Sequence, residues 1–142
     1  MGLHPCSVDD DYIEQLSIIK KELDAKDCIA VGEIGIDLYW DKSKRELQEK
    51  AFLMQCDWAH NMSLPIAIHS RESTDLIIGL IEVNFPKKLQ GVFHCFVGNA
   101  SQAKKIVELG FYLGIGGVVT FKNSSLRNEL KSVPLNRIII ET

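Results

Sequence analysis

The sequence predicts an α/β protein built on a parallel sheet of about five strands. Helical and strand-like patterns alternate along all 142 residues. Parallel neighbours need long crossover connections, which are usually helices, and this alternation supplies them. Two architectures fit: a five-stranded doubly wound sheet, or part of a (β/α)8 barrel, which is complete at about 250 residues. Periodicity alone leaves both open.

The first half of the chain is predicted to contain two amphipathic helices, each followed by an apolar strand. Residues 9–25 place apolar side chains at steps of three or four, and a strand follows at about 28–34. Ser43 and Glu46 have the S-x-x-E spacing of a capping box for the second helix. The next strand is predicted at about 65–69. The second helix is predicted to bury Leu47, Ala51, Met54, Trp58 and Met62.

The second half repeats this alternation. Asn99 is a predicted N-cap for a helix over 100–109, and Gly110 has the position of its C′ residue. Asn123 is a predicted cap for a short helix at 124–131. The remaining elements predicted here are a helix around 76–81 and strands at 91–96, 111–117 and 137–141.

The composition indicates which cellular compartment and which kinds of partner the protein can have. The net charge of −3 argues against a broad basic face, so nucleic acid would have to be held by local charges or by a metal ion. The four cysteines are widely spaced and lack a C-x-x-C pair, which favours a reducing compartment. No apolar stretch approaches the ~18 residues that span a membrane, and the N-terminal residues lack the pattern of a secretory signal. We therefore expect a cytoplasmic protein without a membrane partner.

Three potential metal ligands stand near the ends of different strand-like runs: Glu33, His69 and His94. The carboxyl ends of parallel strands meet at one edge of the sheet, where such residues could converge. A carboxylate and two imidazoles suit zinc, manganese or similar divalent ions. Singly, each residue has a simpler explanation, as a cap of backbone amides or a core histidine. Their coincidence favours a metal site.

Six motifs are distributed along the whole chain. They are GLHP (Gly2 to Pro5), GEIGIDLYW (Gly32 to Trp40), LPIAIHSRE (Leu64 to Glu72), FHCFVG (Phe93 to Gly98), GFYLGIGGVVTF (Gly110 to Phe121) and PLNRIIIET (Pro134 to Thr142). In this order and at this spacing they resemble the motifs of the TatD family of metal-dependent hydrolases. The resemblance implies a (β/α)8 TIM barrel of the amidohydrolase-like type, here a partial barrel of about five strands. It also implies deoxyribonuclease activity, often exonucleolytic, with up to two divalent ions (Mg, Mn or Zn).

The resemblance also assigns roles to the three candidate ligands. It implies that Glu33 bridges two metal ions and that His69 and His94 bind the second ion. The family's H-x-H pair does not occur in this sequence, and the family's Asp would follow Thr142, so we assign no catalytic residue. The implied domain is a single TatD-like hydrolase domain over residues 1–142, covering the middle of the barrel and truncated at both ends.

Neighbouring residues are candidates for contacts with the substrate. His4 and Arg71 are predicted phosphate contacts, Arg71 through its planar guanidinium, with a surface salt bridge as its alternative. Asp37 is assigned to the same substrate-binding set as a supporting residue. Trp40 is a candidate for stacking a nucleobase. Cys95 is expected to turn to the opposite face as a buried, inert thiol.

The leading functional hypothesis is a metal-dependent deoxyribonuclease that acts on DNA ends or single-stranded DNA by metal-activated water. One alternative keeps the metal and changes the bond, giving an amidohydrolase or esterase for a small substrate. The other alternative is a catalytically inactive metal-binding fragment. An incomplete barrel would leave sheet edges uncovered, from which we expect self-association.

Overall fold

A computed structural model of the protein describes residues 1–86 and 88–142. Within these residues, five strands form one sheet, and helices connect them. The strands are β1 (Val31–Asp37), β2 (Ile66–Arg71), β3 (Gly91–Phe93), β4 (Tyr112–Ile115) and β5 (Ile138–Ile140). The helices are α1 (Tyr12–Ala25), α2 (Arg45–Asn61), α3 (Thr74–Asn84), α4 (Ala100–Glu108) and α5 (Leu126–Glu129), with short 3-10 turns at Pro5–Ser7, Gly117–Thr120 and Leu135–Arg137.

The order of the strands distinguishes between the two architectures. Along the sheet the strands run β1-β2-β3-β4-β5, and every neighbouring pair is parallel. Right-handed crossovers between consecutive strands place the connecting helices on one face, as in a (β/α)8 barrel. A doubly wound sheet would reverse its order at a switch point. The described residues therefore form part of a (β/α)8 barrel, as predicted.

The two faces of the sheet have different roles. Ile34, Ile36 and Ile68 are fully buried on the face that the helices cover. Since side chains alternate along a strand, Gly35 and His69, which pair between β1 and β2, lie on the opposite face. We call this opposite face the open face. Its residues on β1 and β2 are Glu33, Gly35, Asp37, Ala67, His69 and Arg71.

β1 begins and ends later than predicted. Its pairing with β2 starts at Val31 and continues to Asp37, whereas the sequence placed the strand at about 28–34. A register shift between Val31 and Ile34 adds an extra residue to β1. Such β-bulges are common next to active sites. Glu33 therefore lies inside the strand, and Asp37 is its last residue. The strands β3, β4 and β5 are shorter than predicted.

The predicted face of α2 is also partly wrong. Met54 is 37% exposed, whereas Phe52 is completely buried. The buried side of α2 carries two glutamines, Gln48 and Gln55, whose amides bond to backbone inside the protein. An apolar stripe could not predict this face, because polar side chains form part of it.

Helix caps were predicted with mixed success. The capping box at Asn99 is confirmed, with Gln102 as its partner, and Gly110 follows α4 with a φ of +95°. The prediction at Ser43 is wrong: its hydroxyl donates to Asp41 Oδ1 at 2.6 Å, and Lys44 precedes the helix without a side-chain cap. The prediction at Asn123 is also wrong, because α5 begins only after Ser125.

The N-terminal residues lie beside β1. The backbone oxygen of Met1 accepts a hydrogen bond from N–H of Gly32 at 3.0 Å, and the Met1 amino group donates to the oxygen of Ala30 at 3.0 Å. This contact directs the following residues towards the open face. Within the described part of the chain, no helix is both long and apolar enough to cross a membrane.

Candidate metal and substrate site

His69 lies between two carboxylates on the open face. Its Nδ1 atom is 3.0 Å from Oε1 of Glu33, and its Nε2 atom is 2.8 Å from Oδ2 of Asp37. The pairing of β1 with β2 creates this contact, because Gly35 is opposite His69. Glu33 and Asp37, two residues before and after Gly35, therefore lie on either side of the His69 ring. With Nε2–H donating to Asp37, the Nδ1 lone pair faces Glu33. This is the arrangement in which a carboxylate fixes the tautomer and orientation of a metal-binding imidazole.

Asp37 supports His69 from a buried position. Its side chain is 3% exposed, and its Oδ1 atom accepts a hydrogen bond from N–H of Tyr39 at 2.9 Å. Burial alone would raise the pKa of Asp37, but the hydrogen bonds from His69 and from backbone N–H groups outweigh it and lower the pKa below its usual value. The carboxylate is therefore charged at neutral pH. The structure places Asp37 behind His69 instead of on the exposed surface.

His4 joins the same group of side chains. Its Nε2 atom is 3.8 Å from Oε1 of Glu33, and its ring centroid is 4.6 Å from that of His69. N–H of Cys6 donates to Nδ1 of His4 at 3.1 Å, so the proton of the neutral ring is on Nε2. Burial is the largest cause that lowers the pKa of His4, and the nearby His69 ring adds to it against the opposing charges of Glu33 and Asp37. In this tautomer His4 offers the site a hydrogen-bond donor.

Two buried glutamines of α2 hold the backbone around this group. Gln55 accepts from N–H of Leu3 at 2.6 Å and donates to the Leu3 oxygen at 3.2 Å. Gln48 binds the backbone of Asp37 in the same way, at 2.8 and 3.2 Å. Sequence reasoning missed both residues. Their spacing of seven residues on one helix face was the available signal.

His94 lies in a second group. Its backbone N–H donates to the oxygen of Ile68 at 2.8 Å, so its backbone lies beside β2 close to His69. Its side chain contacts Glu141, with 3.0 Å between Nδ1 and Oε1. Ligand atoms of His94, Cys95 and Glu141 lie within 4.8 Å of one another, as do those of His4, Glu33 and His69. The predicted trio of Glu33, His69 and His94 is thus divided between two neighbouring groups, and Glu141 was not predicted.

The expectation for Cys95 is wrong. Cys95 is exposed and belongs to the second group. The strand β3 ends at Phe93, and Cys95 has a φ of +46°, so strand alternation does not extend to it. N–H of Cys95 donates to Oε1 of Glu141. Burial and the nearby charge of Glu141 raise the pKa of the Cys95 thiol.

Arg71 lies over two exposed aromatic rings. Its guanidinium carbon is 3.8 Å from the ring centroid of Tyr39 and 5.4 Å from that of Trp40. Both distances are within the range of a cation–π interaction. Arg71 takes part in none of the ion pairs among the described residues, so the alternative of a surface salt bridge is wrong. The aromatic contact was not predicted.

The first group consists of His4, Glu33 and His69, and its donor atoms fit a divalent ion. Zinc binds histidine nitrogen and carboxylate oxygen at about 2.0–2.2 Å, so two ligands of one ion lie at most about 4.4 Å apart. The separation between Glu33 Oε1 and His69 Nδ1 is 3.0 Å, which meets this limit. The oxygen and nitrogen donors also suit manganese. In the second group, the Nε2 atom of His94 is left for an ion when Nδ1–H donates to Glu141.

Solved structures with the same fold identify the class of protein. YjjV, a TatD homolog from Escherichia coli K12, matches the whole chain with a TM-score of 0.84 and 33% identity, over 56% of its own length. A TatD family hydrolase from Entamoeba histolytica matches 99% of the chain with a TM-score of 0.79 and 26% identity, over 48% of its length. The fold is therefore that of the TIM-barrel hydrolases.

Sequence comparison gives the family. The family described as TatD related DNase matches residues 1–142. The chain is 36% identical to the uncharacterized metal-dependent hydrolase YabD of Bacillus subtilis, covering all of the chain and 56% of that protein. It is 30% identical to the uncharacterized metal-dependent hydrolase YcfH of Escherichia coli, covering 53% of it. The chain belongs to the TatD family of metal-dependent hydrolases. It spans about half the length of the curated relatives it matches.

Proposed function

We propose that residues 1–142 form one hydrolase domain that contributes the site of a metal-dependent deoxyribonuclease. Its substrate would be DNA ends or single-stranded DNA, and the reaction would be hydrolysis of a phosphodiester bond. The observation that carries this proposal is the position of His69 between Glu33 and Asp37, in a chain of the family described as TatD related DNase.

The metal ligands would be Glu33, His69 and His94. Glu33 offers a carboxylate beside Nδ1 of His69, and Asp37 holds the opposite side of that ring. Glu141 holds Nδ1 of His94 in the same manner. When bound at such a site, divalent ions activate water and neutralise charge that develops on a phosphodiester.

His4 and Arg71 would contact the phosphates of the substrate. His4 presents Nε2–H towards Glu33, at the edge of the first group, and burial lowers its pKa so that the ring is neutral. Arg71 supplies a positive charge and a planar set of donors, which match phosphate oxygens. These contacts, together with the exposed rings of Tyr39 and Trp40, favour a polynucleotide over a small amide or ester.

The direct test compares substrates and metal ions. The purified chain is incubated with labelled single-stranded DNA, and separately with small amide and ester substrates, in magnesium, manganese or zinc. We expect hydrolysis of DNA only with metal, and a loss of at least about 100-fold in Glu33→Gln and His69→Ala, since these changes remove groups from the metal site. Glu108→Gln, an exposed carboxylate of α4, is the matched control.

Two results would contradict the proposal. Hydrolysis of amides or esters without hydrolysis of DNA would support the small-substrate alternative. Metal binding, measured by calorimetry, without hydrolysis of any substrate would support an inactive metal-binding fragment.

A further inference from the structure

We infer that the groove beside Arg71 binds the nucleotide next to the cleaved bond, with Arg71 on its phosphate and Trp40 against its base. This inference names a subsite of the proposed function and rests on it for the class of substrate. The groove has a volume of about 520 Å³, which is within the usual range for small-molecule sites. Its lining includes Tyr39, Arg71, Ser73, Asp75, Val97 and Gln102. Trp40 lies outside this lining, with its ring centroid 5.4 Å from the guanidinium carbon of Arg71.

The guanidinium of Arg71 is preorganised for an anion. Its guanidinium carbon lies 3.8 Å from the centroid of the Tyr39 ring, and the residue is exposed to solvent. A guanidinium that contacts a ring through its face keeps the N–H groups at its edge free for hydrogen bonds. None of the ion pairs among the described residues involves it. A bidentate contact with a phosphate would therefore displace no carboxylate.

The two carboxylates near the groove each contact a side chain other than Arg71. Asp75 accepts a hydrogen bond from Nε2 of Gln102 at 2.9 Å. Glu72 forms an ion pair with Lys42, with 3.4 Å between Oε2 and Nζ. Among the described residues that line the groove, Arg71 is the one with a positive charge.

The position of Arg71 assigns it to a neighbouring phosphate, separate from the reacting one. Arg71 follows His69 by two residues on the same face of β2, so their backbones lie about 6.6 Å apart. Its side chain is directed to Tyr39, which lies two residues past Asp37 and beyond the end of β1. The guanidinium is thus held beyond Asp37, on the side away from Glu33. The backbone spacing of about 6.6 Å between His69 and Arg71 is similar to the distance between neighbouring phosphates of an extended polynucleotide.

Trp40 provides a surface for the base of the same nucleotide. It is 72% exposed and packs edge-on against Tyr39, with 4.8 Å between ring centroids. Exposed aromatic rings next to an arginine are the usual elements of sites for unpaired nucleotides. Stacking here would be tolerant of base identity, because every base has a π-face.

The test measures binding without turnover, in the presence of a chelator. The chain is titrated with thymidine dinucleotides that carry or lack a terminal 5′-phosphate, and with inorganic phosphate, while the indole NMR signals of Trp40 and Trp58 are followed. The partly buried Trp58 in the core is the internal control. We expect the Trp40 signal to shift. We also expect the terminal phosphate to tighten binding about tenfold, which corresponds to the free energy of a charge-assisted hydrogen bond.

Variants identify the residue responsible. Arg71→Ala should abolish the advantage of the terminal phosphate, and Arg71→Lys should restore only part of it, because an ammonium lacks the planar fork. Arg45→Ala is the matched control: it removes the same charge from α2, where Arg45 pairs with Glu49. It should leave the advantage intact.

Three outcomes would overturn the inference. The Trp40 signal could stay unchanged, or the terminal phosphate could tighten binding to Arg71→Ala as much as it does to the unchanged protein. Alternatively, inorganic phosphate could bind as tightly as the phosphorylated dinucleotide. The last result would indicate a general anion site. Failure of the proposed function would look different. In that case, phosphate-dependent binding would persist while no metal ion supported DNA hydrolysis.

Discussion

Nδ1 of His94 lies 3.0 Å from Oε1 of Glu141, and this contact joins the ends of β3 and β5 across β4. The space above β4 is available because Gly114 has no side chain: a Cβ atom there would collide with the Glu141 carboxylate. The same carboxylate oxygen accepts N–H of Cys95. Glu141 therefore fixes both the ring and the backbone of the His94 segment, and leaves Nε2 of His94 available as a ligand.

Replacing Glu141 should weaken metal binding without unfolding the protein. Glu141→Gln keeps the size of the side chain but loses the charge that holds Nδ1–H of His94, and loss of such a partner typically costs 10–100-fold in metal affinity. Gly114→Ala should have a similar effect, because the new methyl group displaces the carboxylate. Calorimetric titration with zinc measures both, with Glu108→Gln as control. Unchanged zinc affinity in both variants would exclude this role for Glu141.

Asp37 should make a pH-dependent contribution to stability. Its pKa is lower in the folded protein than its usual value of 3.8. A carboxyl group with a lowered folded pKa stabilises the fold above its unfolded pKa, and this stabilisation is lost as pH falls through the folded pKa. Asp37→Asn should reduce the free energy of unfolding by about 1–3 kcal/mol at pH 7, and the deficit should shrink below about pH 3.8.

Urea unfolding at a series of pH values measures this deficit. Asp57→Asn, at an exposed position of α2, is the matched control and should show little change at any pH. A deficit in Asp37→Asn that stays constant from pH 7 to below pH 3.8 would show that the charge of Asp37 is not the cause.

The alternating pattern of the sequence was sufficient to predict a parallel sheet, and the resemblance to the TatD family was needed to predict the barrel. Strand-like runs separated by helical patterns predicted five parallel strands, and Glu33, His69 and His94 were predicted as ligands from their positions near strand ends. Asp37 was predicted as a supporting residue, but the contacts that these residues make were not predicted. Asp37 meets His69 across 32 residues, and Glu141 meets Cys95 across 46. Such contacts depend on the register between strands, which local patterns do not determine.

Other errors have a local physical cause. Cys95 was assigned to the wrong side because alternation was extended past Phe93, where the strand ends and the backbone enters a positive φ. The buried face of α2 was predicted partly wrongly because the spacing of apolar residues cannot reveal Gln48 and Gln55. Their buried amides form hydrogen bonds with backbone that lies far away in sequence.

Gln55 should be required for the position of His4. Gln55→Leu would remove both side-chain bonds to Leu3 and leave its backbone N–H and oxygen without these partners in a buried place. Each unsatisfied buried group costs about 1–3 kcal/mol. We expect a loss of stability in that range or above it, together with a shift of the His4 ring signals in NMR spectra. Gln15→Leu, at a partly exposed position of α1 where the amide donates to Asp11, is the control, and an equal effect of the two changes would refute this role.

Gly35 should be the least replaceable glycine of β1. It has a φ of +148°, and a Cβ atom would overlap the backbone oxygen of His69 on the paired strand. Gly35→Ala must therefore separate β1 from β2 at the point where Glu33 meets His69. We expect a loss of about 3 kcal/mol or more in the free energy of unfolding, combining backbone strain with steric overlap.

The matched control for this change is Gly79→Ala in α3. A Cβ atom at Gly79 meets nothing within 4 Å, and alanine is favoured over glycine inside a helix by about 0.5–1 kcal/mol. The same substitution should thus stabilise the protein at position 79 and destabilise it at position 35, as measured by urea unfolding. Because the chemical change is identical, a difference in sign can come only from the local backbone and its neighbours. A similar small effect at both positions would show that β1 can move away from His69 at little cost, and that the contact between Glu33 and His69 is not held by close packing of the two strands.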